Sequence, residues 1–492
     1  MISLKNVVFC FCFLFLQNAF AQQLYCPVAI DESNRTAHLN YQADLQSMGA
    51  QRDLGQTLYV PITLHSIGSK GAGFANGYDL FKSICALNDY FKAANIQFFP
   101  SGDIQFHDDE SVYGFESRLY LEKLKAMTAA FNVPKTLNIY VTKITANEDG
   151  TYLCGAAPFP SWDDLYLNGK GGVLINSDCL EEGAKTITHE IGHHFDLLHT
   201  FETANGSELV TRNIGQRNCD VAGDGFCDTP ADTRNYTCPY QSAGERDLQG
   251  VLYEPDWKNF MSYYGNNCLS EFSAEQYNHA RMVLENDPKR NIYLDYPLPN
   301  MDAPASFSIV SPSNGSTLPV NEIALKWTSS ENAKWYLVNV TISGGRSVFS
   351  TVVSENNVSF ELPNSASGKQ YRLSISAINE LNMCSGAQEE RTFSLGAPTT
   401  VYQNFIDGVS FKLIPNPSKV DGDIIVRFNA GSYSQGFVSL FDLYGKTVQS
   451  EAVNFMKGEN NIPFSLKGLA KGIYFINIAA EGGSLTKKLV VD

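Results

Sequence analysis

The amino-acid sequence predicts a multidomain protein in which an α+β domain is followed by two all-β sandwich domains. Helix-like spacing of apolar residues is confined to the chain before a proline-containing seam at residues 296–304, and one such stretch opens with the capping box Ser273 and Gln276. Beyond the seam, residues 305–395 alternate apolar and polar side chains with the period of a strand, and residues 405–492 are also predicted to form strands. The length of 492 residues agrees with several hydrophobic cores.

The composition is that of an acidic globular protein. Hydrophobic residues make up 43% of the chain and charged residues 18%, and no tract has the repeats of collagen or of a coiled coil. The net charge of −16 argues against a nucleic-acid partner, because phosphates are bound by basic surfaces.

The beginning of the chain is predicted to direct export. Residues 1–21 contain Lys5, an apolar run and the tripeptide Ala-Phe-Ala before Gln22, as in a secretory signal peptide. Residues 22–55 are polar and precede the first predicted strand, Leu58 to Leu64, so they form a predicted pro-segment. No other stretch approaches the length of about twenty apolar residues that spans a bilayer, and no transmembrane anchor is expected.

Three histidines and one glutamate in a single window predict a zinc site. His189 and His193 are four residues apart, so on a helix they lie on one face and can reach one Zn²⁺. Glu190 follows the first ligand and can act on a zinc-bound water without being a ligand itself. His199 is six residues beyond His193, so the chain must leave the helix and turn back to supply a third nitrogen. Histidines of an ordinary core are the alternative, which the third histidine disfavours.

The pattern HExxHxxxxxH, followed by Asn-Phe-Met-Ser-Tyr at residues 259–263, resembles the metzincin metallopeptidases with their Met-turn. Asp-Gly-Phe-Cys-Asp-Thr-Pro at residues 224–230 narrows the resemblance to the pappalysin/cytophagalysin family. The resemblance implies a secreted zinc endopeptidase acting on proteins or peptides, with a metzincin-like catalytic domain predicted over residues 56–295. It also implies that Met261 forms a hydrophobic floor under the zinc and that Tyr263 is catalytic, stabilising the tetrahedral intermediate.

One residue departs from the metzincin pattern. Asp196 stands where the pattern has glycine, which ends the helix and adopts a positive φ. Aspartate is among the few residues that tolerate the left-handed region, because its short carboxylate can bond locally. We therefore expect the turn to survive at a cost of about 1 kcal/mol.

Four aspartates predict a calcium site. They recur every four residues across a glycine-containing segment, where an oxygen-rich loop suits Ca²⁺. Members of the family also bind calcium nearby, and a solvated acidic loop is the alternative. The four candidate ligands are Asp220, Asp224, Asp228 and Asp232.

Nine cysteines follow the signal peptide, and most should pair after export to an oxidising compartment. Cys26 in the pro-segment has two interpretations: a thiolate that caps the zinc of a zymogen until proteolysis, or a disulfide partner. Cys384 in the first sandwich can be unpaired. Candidate bridges, whose connectivity the sequence does not prove, are Cys219–Cys227 and Cys238–Cys268.

The two C-terminal domains resemble modules with different roles. Residues 305–395 resemble a fibronectin type III-like domain, which is either a spacer or a ligand-binding module. Residues 405–492 contain Ile-Pro-Asn-Pro at 414–417 and end in Lys-Lys-Leu-Val-Val at 487–491, and they resemble the sorting domain of Bacteroidetes type IX secretion cargo. This resemblance implies passage through the periplasm, handling by the type IX secretion machinery, and release or attachment at the cell surface.

The alternative to a peptidase is a catalytically inactive surface adhesin that uses the β-sandwich for binding.

Overall fold

The structure is a computed structural model that describes residues 24–25, 38, 40–45, 55–162, 167, 170–180, 183–265, 267–300, 302–318, 323–342, 345–362, 368–396, 406–430, 434–443, 446–480 and 483–492. The predicted signal peptide, Cys26 and most of the predicted pro-segment lie outside the described residues. The chain divides into two compact units, one of residues 1–56 and 111–292 and the other of residues 57–110 and 293–492.

The longer helices belong to the first 292 residues of the described chain. The capping box predicted for the last of them is present, with the Ser273 hydroxyl accepting from the Gln276 amide. No described helix has both the length and the apolar character that crossing a membrane requires. The helices are α1 (Gly77–Phe91), α2 (Tyr120–Phe131), α3 (Gly183–His194) and α4 (Ala274–Asn286).

Short strands accompany these helices. They are β1 (Leu24–Tyr25), β2 (Leu58–Gly68), β3 (Ile96–Pro100), β4 (Gln105–Asp108), β5 (Phe115–Glu116), β6 (Leu137–Thr142), β7 (Ile144–Thr145), β8 (Tyr152–Leu153), β9 (Gly155–Ala156) and β10 (Val173–Asn176).

In the first unit a small sheet supports helix α3. Strand β10 pairs parallel with β6 and antiparallel with β9, and every residue of these three strands is buried. Helix α3 packs against β9 and β10. Its apolar residues Ile187, Ile191 and the following Phe195 are spaced by four and buried, so one face of the helix enters the core. Elsewhere in this unit β1 pairs parallel with β8, and β5 pairs parallel with β7.

The second unit begins with β2, which pairs parallel with both β3 and β4, and with α1, which packs on β3. Its later part is an all-β region. The strands are β11 (Ile309–Ser311), β12 (Ser316–Leu318), β13 (Ile323–Trp327), β14 (Trp335–Ile342), β15 (Ser347–Val353), β16 (Asn357–Phe360), β17 (Gln370–Ile378), β18 (Gln388–Leu395), β19 (Ile406–Ile414), β20 (Asp423–Ala430), β21 (Ser434–Phe441), β22 (Thr447–Phe455), β23 (Gly458–Ser465), β24 (Gly472–Ala480) and β25 (Gly483–Val491).

These strands surround two hydrophobic cores. The sheets β11-β13-β16 and β12-β18-β17-β14-β15 share a core that includes Trp327 and Tyr371. The sheets β19-β20-β23 and β22-β21-β24-β25 share a second core. Alternate residues of β13 and β20 are buried, which is the period-two pattern of strands with one face on a core.

A disulfide joins the early and late parts of the second unit. Cys85 on α1 is bonded to Cys384, which follows β17. Close by, the indole Nε1 of Trp335 donates to Asp103 (2.6 Å) and the Gln97 amide donates to the carbonyl of Leu381 (2.9 Å). The strands β11–β18 are therefore held on residues 57–110 by covalent and polar contacts, and Cys384 is paired.

Candidate metal centre

Helix α3 ends in a turn that sends the chain back toward the helix. The amide of Leu197 donates to the carbonyl of Gly192 and the amide of Asp196 donates to that of His193, both at 2.9 Å, which is the Schellman arrangement. Asp196 occupies the left-handed position of this motif with a φ of 68°. The turn that we expected from an aspartate in place of glycine is present.

The turn brings three imidazoles together. The Nε2 atom of His193 lies 3.1 Å from that of His189 and 3.1 Å from that of His199. The nitrogens of all three rings that could bind a metal lie within 4.8 Å of one another, and all three side chains are buried. Three histidine nitrogens in this arrangement leave one position open in a tetrahedral zinc site.

Two backbone carbonyls fix the orientation of these rings. The Nδ1 atom of His189 lies 2.6 Å from the carbonyl oxygen of Phe260, and the Nδ1 atom of His193 lies 2.8 Å from that of Leu197. A carbonyl can only accept, so each Nδ1 carries the proton and each Nε2 keeps a lone pair for a metal. The three-histidine group therefore fits a divalent cation such as zinc.

Burial also favours the neutral imidazoles that bind metals. It lowers the pKa of His189 to about 4. The pKa values of His193 and His199 lie well below the ordinary value, first because of burial and then because of the neighbouring imidazoles. At neutral pH all three rings are therefore neutral imidazoles and available as ligands.

Glu190 lies at the edge of the sheet beside the histidines. Its side chain is buried, and a Cβ built on Gly155 of β9 would come within 2.7 Å of its Oε1 atom. Only a residue without a side chain leaves room for the glutamate at this point of the strand. The carboxylate is thus held next to the first histidine, on the side of β9.

Met261 and Tyr263 contact the segment that carries the histidines, and the amide of Thr200, next to His199, donates to the carbonyl of Met261 (3.1 Å). Met261 is fully buried. The ring of Tyr263 packs edge-on against His199, with centroids 4.8 Å apart, and lies 5.9 Å from His189. The structure thus brings together the predicted histidines, Met261 and Tyr263.

Asp232 links the loop of the third histidine to the Met-turn, a role that its sequence position did not reveal. One carboxylate oxygen accepts from the hydroxyls of Thr200 (2.6 Å) and Ser262 (2.7 Å), and the other accepts from Tyr264 (2.8 Å). Burial raises the pKa of Asp232 to about 6, although the three hydroxyls oppose that shift. Thr200 adjoins His199 and Ser262 adjoins Met261, so one carboxylate holds both segments.

The four aspartates proposed for calcium have different surroundings. Asp220 is exposed and pairs with Arg217 (3.0 Å), and Asp228 is exposed and accepts from the backbone of Glu275 (2.7 Å). Asp224 is buried and accepts from Thr229 (2.9 Å), and Asp232 accepts the three hydroxyls described above. Among the described residues these four carboxylates do not form a single ligand group.

A second buried acid lies near Asp224. Glu208 pairs with Arg212 through Oε1 (2.6 Å), while its Oε2 atom and the Oδ2 atom of Asp224 are buried without a hydrogen-bond partner among the described residues. Burial raises the pKa of Glu208 to about 7 and that of Asp224 well above its ordinary value. Glu208 lies sixteen residues before Asp224, outside the repeat of aspartates from which the sequence predicted calcium.

The described cysteines form four disulfides. Both candidate bridges, Cys219–Cys227 and Cys238–Cys268, are present. The other two are Cys85–Cys384 and Cys154–Cys179, which the sequence did not identify.

The helix with two histidines, the returning third histidine and the methionine turn beside them define a metzincin-like metallopeptidase domain. Residues 122–285 match the peptidase family described as pregnancy-associated plasma protein-A, so this part of the chain is a pappalysin-like metallopeptidase domain. Residues 412–492 match the secretion system C-terminal sorting domain, so this is an exported protein of the type IX secretion pathway.

Two curated relatives are extracellular metalloproteases. The chain is 27% identical over 233 residues to an extracellular metalloprotease of Neurospora crassa, covering 45% of this chain and 72% of the relative. It is 26% identical over 239 residues to an extracellular metalloprotease of Sordaria macrospora, covering 46% and 74%. Among solved structures, a promirolysin mutant from Tannerella forsythia is 18% identical and covers 55% of this chain and 97% of its own, with a TM-score of 0.43.

Proposed function

We propose that this metallopeptidase is a zinc-dependent endopeptidase in which His189, His193 and His199 hold the metal. The observation that carries the proposal is the convergence of three Nε2 atoms whose rings are buried and neutral. When bound, zinc would polarise the scissile carbonyl and lower the pKa of a bound water toward about 7. The export domain and the extracellular relatives support protein or peptide substrates outside the cytoplasm.

In this proposal Glu190 is the general base. Its carboxylate takes a proton from the attacking water and passes it to the leaving amine. The proposal is supported by its place beside His189 and by the close approach of Gly155, which confines the side chain to one region. The hydroxyl of Tyr263 then donates a hydrogen bond to the developing oxyanion, and the contact of its ring with His199 supports a position near the reacting centre.

Substitution of Glu190 tests the base. Glu190→Gln should lower kcat on casein or gelatin at least about a hundredfold and leave the bound zinc unchanged. Glu148→Gln, at an exposed position, is the matched control and should keep full activity. An active Glu190→Gln protein would remove this residue from the mechanism.

Substitution of His199 tests the third ligand. His199→Ala should release zinc to a chelator faster than the parent protein, because two histidines bind the metal less tightly than three. Unchanged zinc retention would remove His199 from the site.

We propose calcium as a second cofactor, with Glu208 and Asp224 as ligands in place of the full set of four aspartates. The buried oxygens without hydrogen-bond partners support this assignment, because Ca²⁺ binds carboxylate oxygens and would favour their ionised forms. Calcium should raise the Tm of the parent protein and have no effect on Glu208→Gln. Equal shifts in both proteins would place calcium elsewhere.

The N-terminal residues are expected to be processed in two steps. We propose that residues 1–21 are removed as a signal peptide and that residues 22–55 are a pro-segment. Mass spectrometric mapping of the mature N-terminus tests both boundaries.

A further inference from the structure

Asp196 has more partners than its role in the turn requires. Its side chain is completely buried, and His279 of α4 lies 3.1 Å from Oδ2. Gln42 donates its side-chain amide to the same oxygen. The Nδ1 atom of His38 lies 3.4 Å from Oδ1, close enough for an ion pair with a protonated imidazole but not hydrogen-bonded. Two of these three partners come from described residues 38 and 40–45, which we call the N-terminal segment.

The N-terminal segment makes further contacts with the residues around the metal centre. Tyr41 donates its hydroxyl to Asp287 at the end of α4 (2.5 Å). Leu45 is buried, and so is His38, whose ring lies 5.5 Å from that of Phe159. Phe159 in turn packs edge-on against His193, with centroids 5.2 Å apart. The ring of Phe159 thus lies between His38 of the N-terminal segment and His193 of the metal centre.

Asp196 is an unfavourable choice for the turn taken alone. Glycine would adopt a φ of 68° without strain, whereas aspartate does so at a cost. A carboxylate also loses its hydration when it is buried and is stable there only with hydrogen-bonding partners. Without the N-terminal segment, Asp196 would keep only His279 among the described side chains.

We propose that Asp196 is the docking site for the N-terminal segment, with the carboxylate binding the imidazole of His38 and the carboxamide of Gln42. Docking holds the turn between His193 and His199, because Asp196 occupies its left-handed position. The expected effect of docking on metal retention rests on the zinc site proposed above. The docking of the segment on Asp196 does not depend on that site.

Hydrogen exchange of the full-length, metal-free protein tests the docking. In Asp196→Gly, which relieves the strain of the turn and removes the carboxylate, amide exchange in the N-terminal segment should rise at least about tenfold, because bonds to a buried charge are lost. Gln42→Ala alone should raise the amide exchange of the segment above that of the parent. Added to Asp196→Gly, the same change should raise exchange little further. Asn40→Ala, at an exposed position of the same segment, is the control and should match the parent. Unchanged exchange in Asp196→Gly would overturn the proposal.

Metal release tests the link to the turn. The combined variant His38→Ala/Gln42→Ala should lose Co²⁺ or Zn²⁺ to a chelator about tenfold faster than the parent, whereas the same changes should have no effect in the Asp196→Gly background. Equal release rates from the parent and from the combined variant would overturn the link. A parent protein that binds no metal would refute the zinc proposal, and the exchange experiment would still decide the docking.

Discussion

Gly192 and Met261 lie in direct contact: a Cβ built on Gly192 would come within 2.4 Å of the Met261 sulfur. Gly192 precedes His193 on α3, so the Met-turn approaches the metal-binding helix at a position without a side chain. The nearest atom is the sulfur of a fully buried side chain, which has little room to move.

Gly192→Ala should therefore destabilise the protein. The overlap with Met261 should cost about 1–3 kcal/mol, more than the roughly 1 kcal/mol that alanine gains over glycine in a helix. Thermal unfolding should show a lower Tm. Adding Met261→Ala removes the overlap, so the double variant should be more stable than the sum of the two single changes indicates. Additive losses would contradict the contact.

Asp232→Asn should loosen the metal centre. Asparagine keeps the size of the side chain, but the loss of hydrogen bonds to a buried charge costs about 1–3 kcal/mol. We expect faster zinc release to a chelator and a lower Tm. Asp220→Asn is the matched control, because Asp220 is exposed on the same segment and should change stability by no more than about 0.5 kcal/mol. If the two variants released zinc at the same rate, the hydrogen bonds that Asp232 accepts would have no effect on the metal site.

Glu208 should make stability depend on pH when calcium is absent. Burial raises its pKa from 4.5 to about 7, so between these values the folded protein binds more protons than the unfolded chain. The free energy of unfolding should then fall as pH rises through this range, by on the order of 3 kcal/mol.

Denaturant unfolding at pH 5 and pH 8 in a calcium chelator measures this effect. Glu208→Gln should show a smaller difference between the two pH values than the parent, and Asp224 and Asp232, whose pKa values are also raised, should account for a remainder of the same sign. Glu271→Gln, at an exposed position, should keep the full difference. An identical pH dependence in the parent and in Glu208→Gln would assign the effect to other groups.

Cys85–Cys384 should keep the chain in one piece after cleavage at the seam. A protease cut within residues 297–304 separates these cysteines in sequence but leaves their disulfide intact. Non-reducing gels should show one species and reducing gels two. Cys384→Ser should give two species in both. The paired change Cys238→Ser/Cys268→Ser removes a bridge that lies wholly before the seam, and it should behave as the parent does.

Short-range chemistry made much of the site predictable from the sequence. The spacing of His189 and His193 determines their common helix face, and the tolerance of aspartate for a positive φ explains why Asp196 still permits the turn. The capping box of α4 is likewise a property of four neighbouring residues. These features depend on local geometry, which a single sequence contains.

Contacts between distant segments were not predictable in the same way. The sequence predicted Asp232 as a calcium ligand because aspartates recur every four residues. Such a period places side chains on a common face only in a helix, and residues 220–232 form no helix. Asp232 instead binds hydroxyls from residues about thirty positions away on both sides. The partner of Cys384 was open for the same reason, since cysteine spacing does not specify which loops meet.

The bond between Cys85 and Cys384 also sets an order of events during biosynthesis. Pairing follows export to an oxidising compartment, where the Cys85 thiol must meet a partner that lies 299 residues further along the chain, beyond the entire peptidase region. Until then its thiol can react with the six cysteines that lie between residues 154 and 268. Correct oxidation of the exported enzyme therefore depends on the downstream β-module reaching helix α1 before an incorrect thiol pair forms.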